Sequence, residues 1–428
     1  MRDTGGVAID PWLPRAAALR PDRFALEGPG GTLTYAELLQ RARLDVAPGS
    51  RVALTLPPGL DFAVALHACL LARAAALPVD PRLSERERAA LAATATAIVD
   101  GPLDAPGPLA PPLAPAEGDT ALVVHTSGTT GAPKPVELSF GNVQANALGS
   151  AVALGLDPEE RWLCPMPLSH VGGLMVLLRS AIYATTAVLA PPPFDLDRTA
   201  ALLRDGEVTL ASLVPTMLAR LLDAGARPGP RLRAVLLGGA AAPPGLLARA
   251  RDAGWPVAAT YGLTQACSQV TVAVPGDLET VGRPLPGVAV AIARDGEILV
   301  EGPTVAGGGT LHTGDLGRLD ELGRLVVVGR KADTIVTGGE NVAPAEVEAV
   351  LMEHPAVADA GVYARADPEW GEAVTARVVL RAAAEPEELR AFCAERLARF
   401  KVPKAIEAVD ALPRNAAGKL LRRELAAG

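Results

Sequence analysis

Lysine is scarce in this chain: of 40 basic residues only five are lysine, at positions 134, 331, 401, 404 and 419. Where arginine is the ordinary choice, each lysine asks for a reason. Basic residues of either kind form no stripe, and a formal charge of −8 excludes a surface built for nucleic acid or an anionic membrane. Cysteine is sparse as well. Cys69, Cys164, Cys267 and Cys393 stand far apart with no paired spacing, which argues against a zinc framework or a disulfide scaffold and predicts buried thiols. No apolar run is long enough to span a bilayer, since the best, from Val171 to Phe194, is interrupted by Arg179 and closed by three prolines. A cationic start followed by an apolar run is also missing, so no secretory leader is expected and the predicted location is the cytoplasm. Aromatic residues supply only 3% of the chain, yet hydrophobic residues reach 49% of its 428 positions, enough for two or three cores and too apolar for disorder. The expectation is a globular protein of more than one domain whose partners are small molecules, with a homo-oligomer open.

Short β-branched or apolar runs such as Arg51-Val-Ala-Leu-Thr-Leu, Thr120-Ala-Leu-Val-Val-His and Arg233-Ala-Val-Leu-Leu-Gly alternate with Ala/Leu/Arg-rich segments of helical period. Helices are predicted over Ser84 to Ala95, Arg198 to Asp205, Pro215 to Asp223 and Pro244 to Ala253. That alternation reads as an α/β architecture. After Asp315 the texture changes to a turn, a strand over Arg324 to Val328 and a polar Gly-rich loop from Thr337 to Asn341. A helix from Pro344 to Glu353, strands near Ala358 to Tyr363 and Val374 to Leu380, and a helix from Pro386 to Arg399 complete the series. The expected division is a large N-terminal domain of layered sheets and helices over residues 1–329, a hinge at 330–333, and a small mobile α+β domain over 334–428.

The segment Thr126-Ser-Gly-Thr-Thr-Gly-Ala-Pro-Lys134 follows an apolar strand and gathers hydroxyls, glycines and one lysine. Glycines let backbone N–H groups close on phosphate oxygens, hydroxyls donate further hydrogen bonds, and lysine supplies a point charge. Thr126, Ser127, Gly128, Thr129, Thr130, Gly131 and Lys134 thus form a candidate phosphate cradle. It is not a Walker A loop, because counting from Gly128 the Gly-Lys-Ser/Thr positions hold Pro133-Lys134-Pro135. A polar hairpin turn is the plain alternative, and this density of hydroxyls argues against it.

Here the sequence resembles the adenylate-forming superfamily of acyl-CoA synthetases, aryl-CoA ligases, luciferases and adenylation domains, and the resemblance recurs down the chain. Tyr261-Gly-Leu-Thr-Gln265 resembles a family stretch that lies under the nucleotide, which implies Tyr261 and Gly262 against adenine and Thr264 on the α-phosphate. The family has glutamate where Gln265 stands, and that glutamate helps hold Mg²⁺, so the resemblance implies a weaker protein contribution to the ion here. Leu236-Leu-Gly-Gly-Ala240 resembles the turn beside adenine and acyl group, formed here by Gly238, Gly239 and Ala240. His312-Thr-Gly-Asp315 and Arg330 resemble the pair that holds the ribose. The family hinge falls on Ala332, and Thr337-Gly-Gly-Glu-Asn-Val342 resembles the segment that lines the pantetheine channel, implying Gly338, Gly339 and Asn341 for coenzyme A. Pro413-Arg-Asn-Ala-Ala-Gly-Lys-Leu-Leu-Arg422 resembles the catalytic-lysine motif. Lys419 would then neutralise charge gathering as a carboxylate attacks the α-phosphorus of ATP. Lys401 and Lys404 read as a solvated face, or as groups meeting the phosphates of coenzyme A.

Pro165-Met-Pro-Leu-Ser-His-Val-Gly-Gly-Leu174, Arg179-Ser-Ala-Ile-Tyr183 and Cys267-Ser-Gln269 resemble one branch of the family, the o-succinylbenzoate–CoA ligases of menaquinone biosynthesis. Their substrate carries two carboxylates, one to be activated and one to be anchored. The resemblance implies Arg179 as the anchor, with Ser268, Gln269 and Gly239 lining the acyl pocket and His170 acting as a gate at its carboxylate end. An arginine snorkelling to the surface, or paired to a structural acid, is the plain reading of Arg179. The other readings are a general aryl- or medium-chain acyl-CoA synthetase, a stand-alone adenylation domain, and a nucleotide-binding pseudoenzyme suggested by Gln265 alone.

Overall fold

The structure is a computed structural model that describes residues 7–103, 114–126, 134–414 and 420–427. Four sheets organise the chain. A nine-stranded sheet runs in the order 283–284, 268–272, 257–263, 234–237, 210–213, 161–164, 186–189, 24–28 and 31–34. Its interior strands are parallel, with antiparallel pairs at both ends. A five-stranded sheet follows the order 97–99, 51–54, 75–78, 120–126 and 134–139, with only the last strand antiparallel. Parallel strands must be covered on both faces, and the sequence shows it: all four residues of Ala234–Leu237 and of Thr186–Leu189 are buried. Helix Leu60–Leu71 is buried at nine consecutive positions from Phe62 to Leu70, so it is a core element and not a surface amphipath. Thr34, Ser84 and Ser139 each start a helix with a capping box.

The third sheet is antiparallel and joins Ala289–Ile292, Glu297–Glu301, Leu311–Leu319 and Leu325–Arg330. The fourth is built from 340–342, 335–337, 371–380 and 357–367, with Ala405–Ala408 pairing parallel to Gly371–Leu380. Around it Val347, Leu351, Val362, Val378, Leu389 and Ile406 form a hydrophobic cluster of their own. The architecture is α/β, with a large N-terminal domain and a smaller C-terminal one.

Several predicted elements differ from the structure. The stretch 337–341 is not a loop but the tip of a hairpin, Ile335–Thr337 with Glu340–Val342, turned by Gly338 and Gly339 at φ of +58° and +86°. The helix from Pro386 stops at Ala394, and a short 3-10 turn follows at Arg399–Lys401. Lys401 is no solvated residue, since Glu346 holds its Nζ at 2.6 and 2.8 Å. Lys404 lies over the Trp370 ring at 4.3 Å. All four cysteines are buried. Among the described residues no helix is long and apolar enough to cross a membrane.

His67, inside helix Leu60–Leu71 and 2% exposed, is pushed by burial to a pKa of about 4. The unfolded chain takes up that proton near pH 6.5, whereas the folded one refuses it until about pH 4, so stability falls as pH drops between them. Up to about 3 kcal/mol is at stake. Urea unfolding at pH 7 and pH 4.5 is expected to show a smaller loss for His67→Leu than for the wild type. Equal losses would place the acid sensitivity elsewhere.

Candidate active site

The carboxyl ends of the parallel strands Arg161–Cys164, Ala234–Leu237 and Val257–Leu263 open together, the edge where open α/β sheets take ligands. Two glycines are closely approached here. A Cβ at Gly262 would lie 1.8 Å from the Ser268 carbonyl oxygen, and one at Gly238 would meet the Thr260 Cγ2 at 2.8 Å. Gly239 turns at φ +81° ahead of Ala240. Thr264 opens a 3-10 turn, Thr264–Ala266, after which Cys267 and Ser268 hold φ of +54° and +90° and send the chain back as the antiparallel neighbour. Gln265 is half-buried, and its carbonyl accepts from the Ala306 N–H at 2.8 Å.

Asp315 is the charged centre of this region. It is 5% exposed and sits opposite Arg330 in the register of strands Leu311–Leu319 and Leu325–Arg330. The Tyr261 hydroxyl donates to its Oδ2 at 2.7 Å, and the Arg330 Nε forms a salt bridge with its Oδ1 at 2.7 Å. Burial and the Asp315 carboxylate push the Tyr261 pKa upward, so the phenol remains a donor. The phenol thus takes one oxygen and the guanidinium charge faces the other. Since a carboxylate offers about four lone-pair sites, both oxygens keep one for a further hydroxyl.

A second polar group lies beneath the strand Ser268–Val272. Arg179 is 2% exposed in helix Val171–Tyr183, so the surface reading fails. Its Nη2 donates to the Asn146 Oδ1 at 2.5 Å and its guanidinium lies 5.4 Å from the Trp162 ring centroid. The acid-pair reading fails too: among the described residues no carboxylate forms a salt bridge with it, and its Nε has no hydrogen-bond partner. Burial lowers its pKa, yet a guanidinium keeps its proton. Asn146 in turn donates to the Gln269 carbonyl at 2.8 Å, while both polar atoms of the 4%-exposed Gln269 side chain stand without partners. A desolvated cation with no acid partner among the described residues suits a carboxylate. Ser268 is half-buried at the same strand's start. Asn146 and Trp162 are absent from the sequence reading. An amide facing inward on the apolar helix Phe140–Leu154 was the one signal available for Asn146.

His170 caps the N-terminus of helix Val171–Tyr183, with its side chain 39% exposed and its Nε2 3.0 Å from the Arg82 Nη2. Of the phosphate loop, Thr126 and the exposed Lys134 face each other as partners at the ends of their strands, with the Thr126 Oγ1 donating to the Lys134 carbonyl at 3.4 Å. Ser127, Gly128, Thr129, Thr130 and Gly131 lie outside the described residues, as does Lys419. Flanking Lys419, Arg414 holds Asp359 at 2.8 Å and pairs as an isolated bridge with Leu420. Ala332 is exposed between Lys331, which reaches Asp295 at 2.6 Å and Glu297 at 3.1 Å, and Asp333, 3.6 Å from Arg422. Gly338, Gly339 and Asn341 are exposed at the hairpin tip, where the Gly338 N–H donates to the Trp370 carbonyl at 2.9 Å.

Known proteins share this fold. The model of the AMP-binding enzyme family matches residues 13–99 and 93–308, and that of the AMP-binding enzyme C-terminal domain matches 346–419. The chain belongs to the AMP-binding enzyme family. Within it, the 2-succinylbenzoate–CoA ligase of Bacillus velezensis is 38% identical over 97% of this chain and 97% of that protein. The solved o-succinylbenzoate CoA synthetase of Bacillus subtilis in complex with the acyl-adenylate intermediate superposes with a TM-score of 0.88 at 36% identity, covering 98% of each chain. A double mutant of the same synthetase bound with its product analogue gives 0.70 at the same identity and coverage.

Proposed function

We propose that the protein is an ATP-dependent acid–CoA ligase whose acid is o-succinylbenzoate. In the first step the acid's carboxylate attacks the α-phosphorus of ATP, giving acyl-AMP and pyrophosphate; in the second, the coenzyme A thiol attacks the acyl carbon, giving the thioester and AMP. The cradle from Thr126 to Lys134 holds phosphates, with Gly238, Gly239, Ala240, Tyr261, Gly262 and Thr264 around the nucleotide. Asp315 accepts the ribose hydroxyls between Tyr261 and Arg330. Lys419 neutralises the adenylation transition state, Ala332 is the hinge, and Gly338, Gly339 and Asn341 line the path of coenzyme A. Bound with ATP, Mg²⁺ would offset phosphate charge. Gln265 would offer it one neutral amide oxygen, and among the described residues no group of three acids, histidines or cysteines is placed to hold a metal. The cytoplasm suits such a set of soluble substrates.

The observation that carries the choice of acid is Arg179, a buried cation whose bonds are to Asn146 and the Trp162 ring. A fatty-acyl pocket has no use for such a group, whereas a second carboxylate completes it, with Ser268 and Gln269 as polar neighbours and His170 at the opening. AMP release with ATP, Mg²⁺ and coenzyme A is expected to favour o-succinylbenzoate over benzoate and octanoate by about a hundredfold or more in kcat/KM. Preference for a monocarboxylate would leave the ligase chemistry intact and overturn the assignment of the acid.

A further inference from the structure

The loops that follow strands Ala75–Pro78 and Arg161–Cys164 meet although their strands belong to different sheets. The junction is Asp80. Its carboxylate accepts from the Arg82 backbone N–H at 3.0 Å, the Arg82 Nε at 2.8 Å and the Arg82 Nη2 at 2.5 Å. From the other loop, the Ser169 hydroxyl donates to Asp80 Oδ2 at 3.0 Å. Burial alone would raise the Asp80 pKa, but these hydrogen bonds outweigh it and hold the carboxyl down to about 2. The Arg82 side chain is thereby aimed at His170, where its Nη2 stands 3.0 Å from Nε2.

A guanidinium has only N–H groups to offer, so the His170 Nε2 must be the acceptor and carry no proton. A neutral ring with a bare Nε2 has its proton on Nδ1. The geometry points to Asp80 and Arg82 as positioning residues for His170: the guanidinium held by Asp80 fixes the ring as its neutral Nδ1–H tautomer at the opening of the acyl pocket. Among the described residues the charged groups facing the ring are these two, Asp80 Oδ2 lying 3.7 Å from Nε2. Burial pushes the His170 pKa down, Asp80 opposes the shift and Arg82 adds to it. The benefit lies in the first chemical step. A neutral N–H orients the attacking carboxylate, whereas an imidazolium would hold that carboxylate as an ion pair and blunt its nucleophilicity.

This inference rests on His170 lining the acyl pocket, and the test separates the two. Ring nitrogen shifts are read by NMR on full-length ¹⁵N-histidine-labelled protein, with His170 among the five histidines assigned through His170→Asn. Wild type is expected to show a pyridine-like Nε2 and a pyrrole-like Nδ1, titrating below the ordinary 6.5. In Arg82→Met the tautomers mix and the midpoint rises, and in Asp80→Asn the tautomers mix without the guanidinium being removed. With the Arg82→Met midpoint raised, kcat falls severalfold between pH 8 and pH 6 while KM for the acid does not rise, a loss absent from wild type. Unchanged ring shifts and midpoint in Arg82→Met would overturn the lock. Altered ring shifts with a wild-type pH profile would overturn the positioning role by removing His170 from the pocket, leaving the tautomer lock in place.

Discussion

Replacing Arg179 by methionine is expected to leave stability within about 1 kcal/mol of wild type while kcat/KM for o-succinylbenzoate falls about a hundredfold or more. The two halves of that result have separate causes. Methionine fills similar volume, and removing a desolvated cation with no acid partner offsets the Asn146 oxygen left without its donor. The substrate's second carboxylate loses a charge-assisted hydrogen bond worth about 3 kcal/mol, and the loss falls only on acids that carry it. Urea midpoints and AMP release with o-succinylbenzoate and benzoate, measured side by side, decide the matter. Equal losses with both acids, or a large drop in stability, would make Arg179 a structural residue.

Asp315→Asn is expected to lower kcat/KM for ATP about a hundredfold and to leave KM for the acid within about twofold. The carboxylate accepts from Tyr261 on one oxygen and forms a salt bridge with Arg330 through the other. An amide in its place has one oxygen for acceptor duty and an NH₂ that faces the guanidinium or the phenol as a donor against a donor. Tyr261→Phe removes a single donor and should cost about tenfold, with Asp315 still charged. A ribose site is refuted if Asp315→Asn binds ATP as tightly as wild type in calorimetry.

What could be read before folding was what local chemistry dictates. Proline at the first helical turn made Pro215–Asp223 and Pro344–Glu353 legible to the residue. The stretch Thr337 to Asn341 reads as loop because two glycines and a glutamate look polar, while the hairpin's pairing comes from Ile335 against Val342. Ala405–Ala408 left no strand signature; it is a short edge strand placed by its neighbour Gly371–Leu380. In the site, the glycines, Tyr261, Asp315 and Arg330 stand in short motifs and could be named from sequence. Asn146 and Trp162 around Arg179, and Asp80 and Arg82 around His170, could not. They act through contacts that cross 33 and 88 positions for Asn146 and Arg82, and nothing near them in sequence hints at their partners.

The close approach of Gly262 to the Ser268 carbonyl, and of Gly238 to Thr260, bears on how this pocket could take up new acids. At Gly262 main chain presses on main chain and at Gly238 on the Thr260 side chain, so an added Cβ would force a shift at either position. The second wall, the acid-anchoring side proposed on helices Phe140–Leu154 and Val171–Tyr183, is made of side chains such as Asn146 and Arg179 that can be exchanged one at a time. Divergence of substrate choice, in nature or in the laboratory, would therefore proceed along that second wall, with the nucleotide side inherited whole.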